Sequence, residues 1–144
     1  MIRPGVEADA PQLVRMAKRF LEETAYGALL QPSDATLGEL VALVDQIGQV
    51  YVAEVLGEVV GMIAVLPLPH PADGRMYADE VAWWVEPEHR TGRIGPQLLR
   101  AVEDWSRDQG LFMVKVTAPA NTAVGVFYRR AGYLEVETAY VKVL

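Results

Sequence analysis

The sequence contains no cysteine. That excludes a disulfide scaffold, a thiolate metal site, a redox CxxC pair and a cysteine nucleophile. Histidine is nearly absent: His70 and His89 are the only two, too far apart in the chain to suggest a metal site, and none is expected. Long apolar runs are missing as well. The longest, residues 59–68, is interrupted at Pro67 and falls far short of the roughly 20 residues needed to span a bilayer. It reads as a buried strand, and no membrane partner is expected. The opening Met1-Ile-Arg-Pro-Gly-Val-Glu has no apolar stretch of the signal-peptide kind, which points to a cytoplasmic location. Positive charge is in the minority, with 13 Lys and Arg against 19 Asp and Glu and a net charge of −6. Broad electrostatic binding to nucleic acid is therefore not expected, while a local basic patch stays open.

What is present suits one soluble domain over residues 1–144. A chain of 144 residues buries about two-thirds of its unfolded surface, enough to fold without a staple. No repeat or linker interrupts it, and the proline-rich piece at residues 67–74 is short enough for one loop. Ile2-Arg3 reads as a short strand ended by Pro4-Gly5, followed from about Val6 by a helix with Leu13, Met16, Ala17 and Phe20 on one face. Residues 34–47 read as a second helix with Ser33 or Asp34 as N-cap and Gly48 at its end. Two β-rich runs, residues 49–55 and 58–66, meet at Leu56-Gly57, where a glycine suits the left-handed position of a bulged hairpin. A strand at 76–86, a helix at 96–109, a strand at 111–117, a helix at 121–131 and two short strands at 133–144 complete the order. Two late β-α units argue for a mixed α/β sheet with a ligand site at strand C-termini.

The stretch richest in chemistry is Val85-Glu-Pro-Glu-His-Arg90-Thr-Gly-Arg-Ile-Gly95-Pro. A strand ends, a basic turn containing glycine follows, and a helix begins with Pro96 in its first turn. Unpaired N–H groups at a helix start, the positive end of its dipole and two arginines make an anion site suited to a phosphate or diphosphate. An exposed turn with solvated arginines accounts for the same residues equally well.

The whole pattern resembles the GNAT acetyltransferase superfamily. Ile2-Arg3-Pro4 with Glu7-Ala8-Asp9 looks like the family's opening. Val85-x-Pro87-x-x-Arg90-x-x-x-x-Gly95 followed by Leu98-Leu99 looks like its acetyl-CoA motif. Asn121-x-x-Val124-x-x-Phe127-Tyr128-x-x-x-Gly132-Tyr133 looks like its C-terminal motif. The resemblance covers nearly the whole chain and implies a GNAT-type α/β fold, a mostly antiparallel central sheet flanked by helices. It departs in one place: the family usually has Arg/Gln-x-x-Gly-x-Gly/Ala, whereas here Arg93 stands where a glycine is usual and the other glycine, Gly92, comes one place early. Arg93 then has to point outward or reshape the loop.

The resemblance implies an acyl-CoA N-acyltransferase that uses acetyl-CoA as cosubstrate and acetylates a small-molecule or peptide amine directly. Donor contacts would fall to Val85, Arg90, Thr91, Gly92, Arg93, Ile94, Gly95, Asn121 and Tyr128, with the N–H of Val85 as oxyanion donor. Asn121 is also read as the N-cap of its helix. Direct transfer needs a base, because a typical lysine amine has a pKa of about 10.4. With Val81, Trp83 and Val85 on one face of their strand, Glu80, Ala82 and Trp84 share the other. Glu80 is the expected base; a β-bulge in this strand would favour Asp79. Tyr128 is the expected acid toward the leaving thiolate. Ser33 and Ser106 lack a nucleophile-elbow setting. A CoA-binding module without turnover is the alternative reading, the amine acceptor is unnamed, and a homodimer is compatible with the resemblance.

Overall fold

The computed structural model describes residues 1–144. Ile2–Pro4 forms β1, and charge fixes the turn that follows. Arg3 donates to both carboxylate oxygens of Asp9, at 2.8 and 3.0 Å, while the Val6 N–H donates to Asp9 at 2.8 Å. The carboxylate is buried, and its hydrogen bond from Arg3 holds it below the usual carboxylate range. This pairing leads the chain through a 3-10 turn at Glu7–Asp9 into α1, Ala10–Glu22. A second 3-10 turn, Ala25–Ala28, precedes α2, Asp34–Ile47. Ser33 is its N-cap, accepting from the Thr36 N–H at 3.1 Å.

Strands β2, Gln49–Val55, and β3, Glu58–Pro69, form the first hairpin. The register shifts between Ala53 and Glu54, so the hairpin is bulged within its strands and not at the turn, where the bulge was expected. Its turn holds two left-handed residues, Leu56 at φ +51° and Gly57 at φ +80°. A two-residue turn of that hand matches the twist of the flanking strands. β3 is buried on both faces from Val60 to Val65. It runs on through Pro67 and Pro69 because β2 has already ended opposite Val65 at Gln49, which leaves an edge where proline is tolerated.

Next come β4, Met76–Val85, and α3, Ile94–Asp108. β5, Val114–Lys115, and α4, Val124–Arg130, complete the regular elements. The sheet order is β1-β2-β3-β4-β5, antiparallel except for the parallel β4–β5 pair. Helices α1 and α2 cover one face, packing Leu13, Met16 and Val44 with Val52, Met62 and Trp84. On the other face α3 packs Leu98, Leu99 and Val102 with Ile63, Val65 and Ala78. Gly61 sets how close α3 comes. A Cβ there would lie 3.2 Å from the Trp84 carbonyl and 3.3 Å from Ile94, so the first turn of α3 rests on bare backbone.

Several boundaries differ from the sequence reading: α1 starts at Ala10 rather than near Val6, and β3 continues through Pro67–Pro69, where a loop was expected. α3 starts at Ile94, before Pro96. β5 has two residues, where seven were expected, because it pairs with β4 only at Ala78↔Val114 and Asp79↔Lys115 before diverging. α4 starts at Val124, since Asn121 has φ +61° and cannot be helical. Residues 134–144 form no strand, because so short a β5 offers no edge to pair with. Ion pairs Lys115–Glu137 at 3.0 Å and Arg129–Glu135 at 3.2 Å tether that segment.

Leucine pays a steric cost at positive φ that asparagine largely avoids. Leu56 is fully exposed, so no packing offsets it. Leu56→Asn should raise the unfolding free energy in urea by about 0.5–1 kcal/mol; equal or lower stability would show the turn is unstrained.

Candidate active site

The site forms where two neighbouring strands part. β4 and β5 pair for two residues, then β5 turns away after Lys115 while β4 continues to Val85. A bulge decides which side chains face the opening. Ala64 pairs with Ala82 and Val65 pairs with Glu80, so β4 carries one extra residue, Val81. Below the bulge the alternation inverts. Glu80 joins Val65, Trp83 and Val85 on the face covered by α3, while Ala82 and Trp84 lie beneath α1 and α2. The expected grouping of Glu80 with Ala82 and Trp84 is therefore corrected, and Trp83 is the tryptophan that shares its face. The bulge does not bring Asp79 forward either. Asp79 lies opposite Leu66 on the α1–α2 face; burial raises its carboxyl, with Lys115 opposing and Glu137 adding to the rise.

Glu80 and Tyr128 meet at one residue. The Thr117 N–H donates to a Glu80 carboxylate oxygen at 2.9 Å, and the Tyr128 hydroxyl donates to the Thr117 carbonyl at 3.0 Å. Burial raises the Glu80 carboxyl to about 7, although the Thr117 N–H works against the shift and Asp79 adds to it. Tyr128 is buried, and burial together with the Glu80 charge holds its phenol above the usual range. A carboxyl that titrates near neutrality and a phenol that keeps its proton thus flank one gap. Behind them Trp83 stacks on Tyr128 at 5.9 Å and approaches Phe127 at 5.8 Å. The Trp83 indole N–H is buried without an acceptor.

Backbone donors line the rest. The Glu86 N–H donates to Val60 O at 2.8 Å, toward β3. Alternation along an antiparallel ladder then directs the N–H of Val85 away from β3, into the gap β5 has left. Beyond β4 the chain makes a short turn, Pro87–His89, and enters α3 with Arg93 as N-cap. No backbone N–H from Thr91 to Gly95 finds an acceptor, no side chain caps the helix and no acid sits in its first turn. A Cβ on Gly92 would meet only the His89 carbonyl, at 3.8 Å, and one on Gly95 would meet Trp83 at 3.6 Å, both ordinary contacts. Arg93 occupies relaxed backbone at φ −92° with its side chain in solvent. It replaces the expected glycine without strain.

Arg90 goes elsewhere. Its Nε donates to the Val85 carbonyl at 2.7 Å and a terminal nitrogen donates to Glu23 at 3.0 Å. The guanidinium lies over the Trp84 ring, 4.5 Å from its centroid. Asn121 stands exposed in a turn three residues before α4, where its left-handed backbone rules out the N-cap role read from sequence. No group of three or more His, Asp or Glu side chains could hold a metal ion, and no helix is long and apolar enough to cross a membrane. Sequence reasoning missed Thr117, which acts through its peptide groups and leaves no side-chain signal. It also missed the Glu23–Arg90 and Arg19–Glu86 contacts, which join residues 67 positions apart.

A family model described as acetyltransferase (GNAT) matches residues 13–133. The chain belongs to the GNAT acetyltransferase family. It is 32% identical over 97 residues to N-acetyltransferase family 8 member 2 of Rattus norvegicus, covering 67% of this chain and 43% of that protein. It spans less than half the length of the curated relatives it matches. Its fold is shared with a ribosomal-protein-alanine N-acetyltransferase of Brucella melitensis biovar Abortus 2308. That pair superposes with a TM-score of 0.78 at 19% identity, covering 100% and 98% of the two chains. AAC(6')-Iy in complex with the bisubstrate analogue CoA-S-monomethyl-acetylneamine also shares it, with a TM-score of 0.80, 19% identity and coverage of 100% and 97%. In this GNAT chain the five-stranded sheet flanked by four helices is the fold that the motifs implied.

Enclosure of Glu80 has a stability signature. Its value near 7 when folded exceeds the ordinary 4.5, so the folded state binds more protons than the unfolded state between those values. Stability therefore falls as pH rises from about 4.5 to about 7 and levels off above. Glu80→Gln should melt at a higher temperature than the parent at pH 8, with the difference closing below pH 4.5. Equal melting temperatures at pH 8 would mean the carboxylate is solvated.

Proposed function

We propose that this chain is an acetyl-CoA-dependent N-acetyltransferase that moves an acetyl group directly onto a primary amine of a small molecule or peptide. What carries the reading is Glu80 and Tyr128 bonded to the N–H and the carbonyl of the same residue, Thr117, where β4 and β5 part. The donor arrives as a thioester. The residues fit its diphosphate: five consecutive N–H groups from Thr91 to Gly95 are free, the positive end of α3 points at them, and Arg93 stands unpaired beside them. Asn121, exposed in the turn before α4, supplies a further donor.

Glu80 takes a proton from the acceptor ammonium, directly or through one water, and so frees the nitrogen lone pair. The C–N bond then forms at the thioester carbon, and the Val85 N–H takes the developing negative charge on oxygen. As the C–S bond breaks, Tyr128 releases Thr117 and gives its proton to the departing sulfur, and it regains one from the nitrogen, which must shed its second proton to become a neutral amide. Free CoA and an N-acetyl product leave, and no acyl-enzyme is needed, in keeping with a chain that has no cysteine. A raised Glu80 suits its task, since a base near 7 is both ionised and able to accept a proton at neutral pH. The relatives' names point to amines of two kinds, an acetylneamine analogue and a ribosomal-protein alanine, which is why both acceptor classes stay in the proposal.

The test is release of free thiol from acetyl-CoA across small amines, polyamines, amino acids and peptides. Rates should rise with pH through about 7. Glu80→Gln should lose about 10²–10⁴-fold in kcat and flatten that rise, and Tyr128→Phe should lose about 10-fold or more with donor binding intact. Tight CoA binding by calorimetry without turnover on any amine would replace the enzyme by a binding module.

A further inference from the structure

The transfer chemistry leaves one buried junction unused. Trp84 is 4% exposed beneath α1, its indole N–H has no acceptor, and two guanidiniums lie over its ring, Arg90 at 4.5 Å and Arg19 at 5.0 Å. Arg19 pairs with the buried carboxylate of Glu86, and Arg90 pairs with Glu23. Three segments thus meet at one indole: α1 through Arg19 and Glu23, the end of β4 through Trp84 and Val85, and the donor loop through Arg90. Arg90 alone touches all three. Its Nε is spent on Val85 O, one terminal nitrogen on Glu23 and its face on Trp84, which leaves a single terminal nitrogen without a partner.

We infer that Arg90 is a positioning residue that fastens the donor loop to the C-terminal end of α1 and fixes Val85, rather than a ligand of the donor's diphosphate. Arg90 holds the Val85 carbonyl on the side of the strand from which the Val85 N–H also points, so it sets the backbone beside the expected oxyanion donor. It also fixes where residues 91–95 begin. Because Glu23 is followed at once by the α1–α2 connection, displacement of that connection reaches the donor loop through one ion pair. A lysine cannot replace the fork and the stack together. The kinetic part of this inference rests on the acetyltransferase reading; the structural part does not.

The experiment has two arms, with Arg90→Ala, Arg90→Lys, Glu23→Ala, the Arg90→Ala/Glu23→Ala pair and Arg93→Ala. In the first, hydrogen exchange is followed in the ligand-free protein. Arg90→Ala and Glu23→Ala should both speed exchange of the bonded amides at the two ends of the loop, His89, which donates to Glu86 O at 2.8 Å, and Gln97, which donates to Arg93 O at 2.9 Å, and Arg93→Ala should not. Unchanged exchange in both overturns the inference whether or not the protein binds CoA. In the second, kcat and KM are compared for acetyl-CoA and S-acetylpantetheine, which has no diphosphate. Arg90→Ala should lower kcat about 10-fold on both donors, Arg90→Lys should not restore it, and Glu23→Ala should lower it 2–5-fold but add nothing in the Arg90→Ala background. Arg93→Ala should raise KM for acetyl-CoA alone. If Arg90→Ala raises KM for acetyl-CoA and spares S-acetylpantetheine, Arg90 is a diphosphate ligand and the inference fails. If the parent protein binds no CoA and turns over neither donor, the functional reading fails while the exchange arm still decides the junction.

Discussion

One extra residue in β4 governs the arrangement of this protein's functional side chains. Val81 has no partner on β3, and its insertion reverses the inside–outside order of everything before it in the strand. Without it, Glu80 would lie under α1 and α2 with Trp84, separated by the sheet from Tyr128. With it, Glu80 enters the gap that β5 opens, on the face where α4 delivers Tyr128. Bulges commonly re-aim a side chain near a functional site. Here the strand gives up one rung of its ladder to place a carboxylate.

The gap needs the other elements to hold it open. β5 keeps only two paired residues, so Thr117 beyond its end is free to bond both Glu80 and Tyr128. Gly61 lets α3 settle onto β3, which brings the free N–H groups of residues 91–95 to the end of β4. Charge is distributed in the same sense. A chain of net charge −6 leaves Arg93 unpaired beside those amides, while Arg90 and Arg19 are neutralised against Glu23 and Glu86 around Trp84. The paired arginines set geometry around a buried indole, and the unpaired one remains available to an anion.

Much of this is legible in the order of the residues. The apolar spacing of α1, α2 and α3, the Ser33 cap, the glycine hairpin and the buried central strand all follow from local rules that the fold obeys. The fate of the C-terminal residues, the length of β5 and the start of α4 do not. Strand formation there depends on a partner edge, and partner edges are tertiary. Asn121 fits an N-cap by composition, yet its left-handed backbone places it in the preceding turn. Trp84 and Trp83 are adjacent and chemically alike, so only the register of β4 against β3 decides which one stands beside Glu80.

The sequence alone determined the class of chemistry and where along the chain its residues lie. Motif spacing named Tyr128 and the Arg90–Gly95 loop, strand position with the family resemblance named Glu80, and the absence of cysteine left no protein thiol to carry an acyl group. Tertiary structure decided which of these face one another. A bulge is one residue without a partner, an ion pair such as Glu23–Arg90 spans 67 positions, and an anchoring peptide such as Thr117 has no side-chain signature. Each is a relation between distant segments, and such relations exist only once the chain has folded.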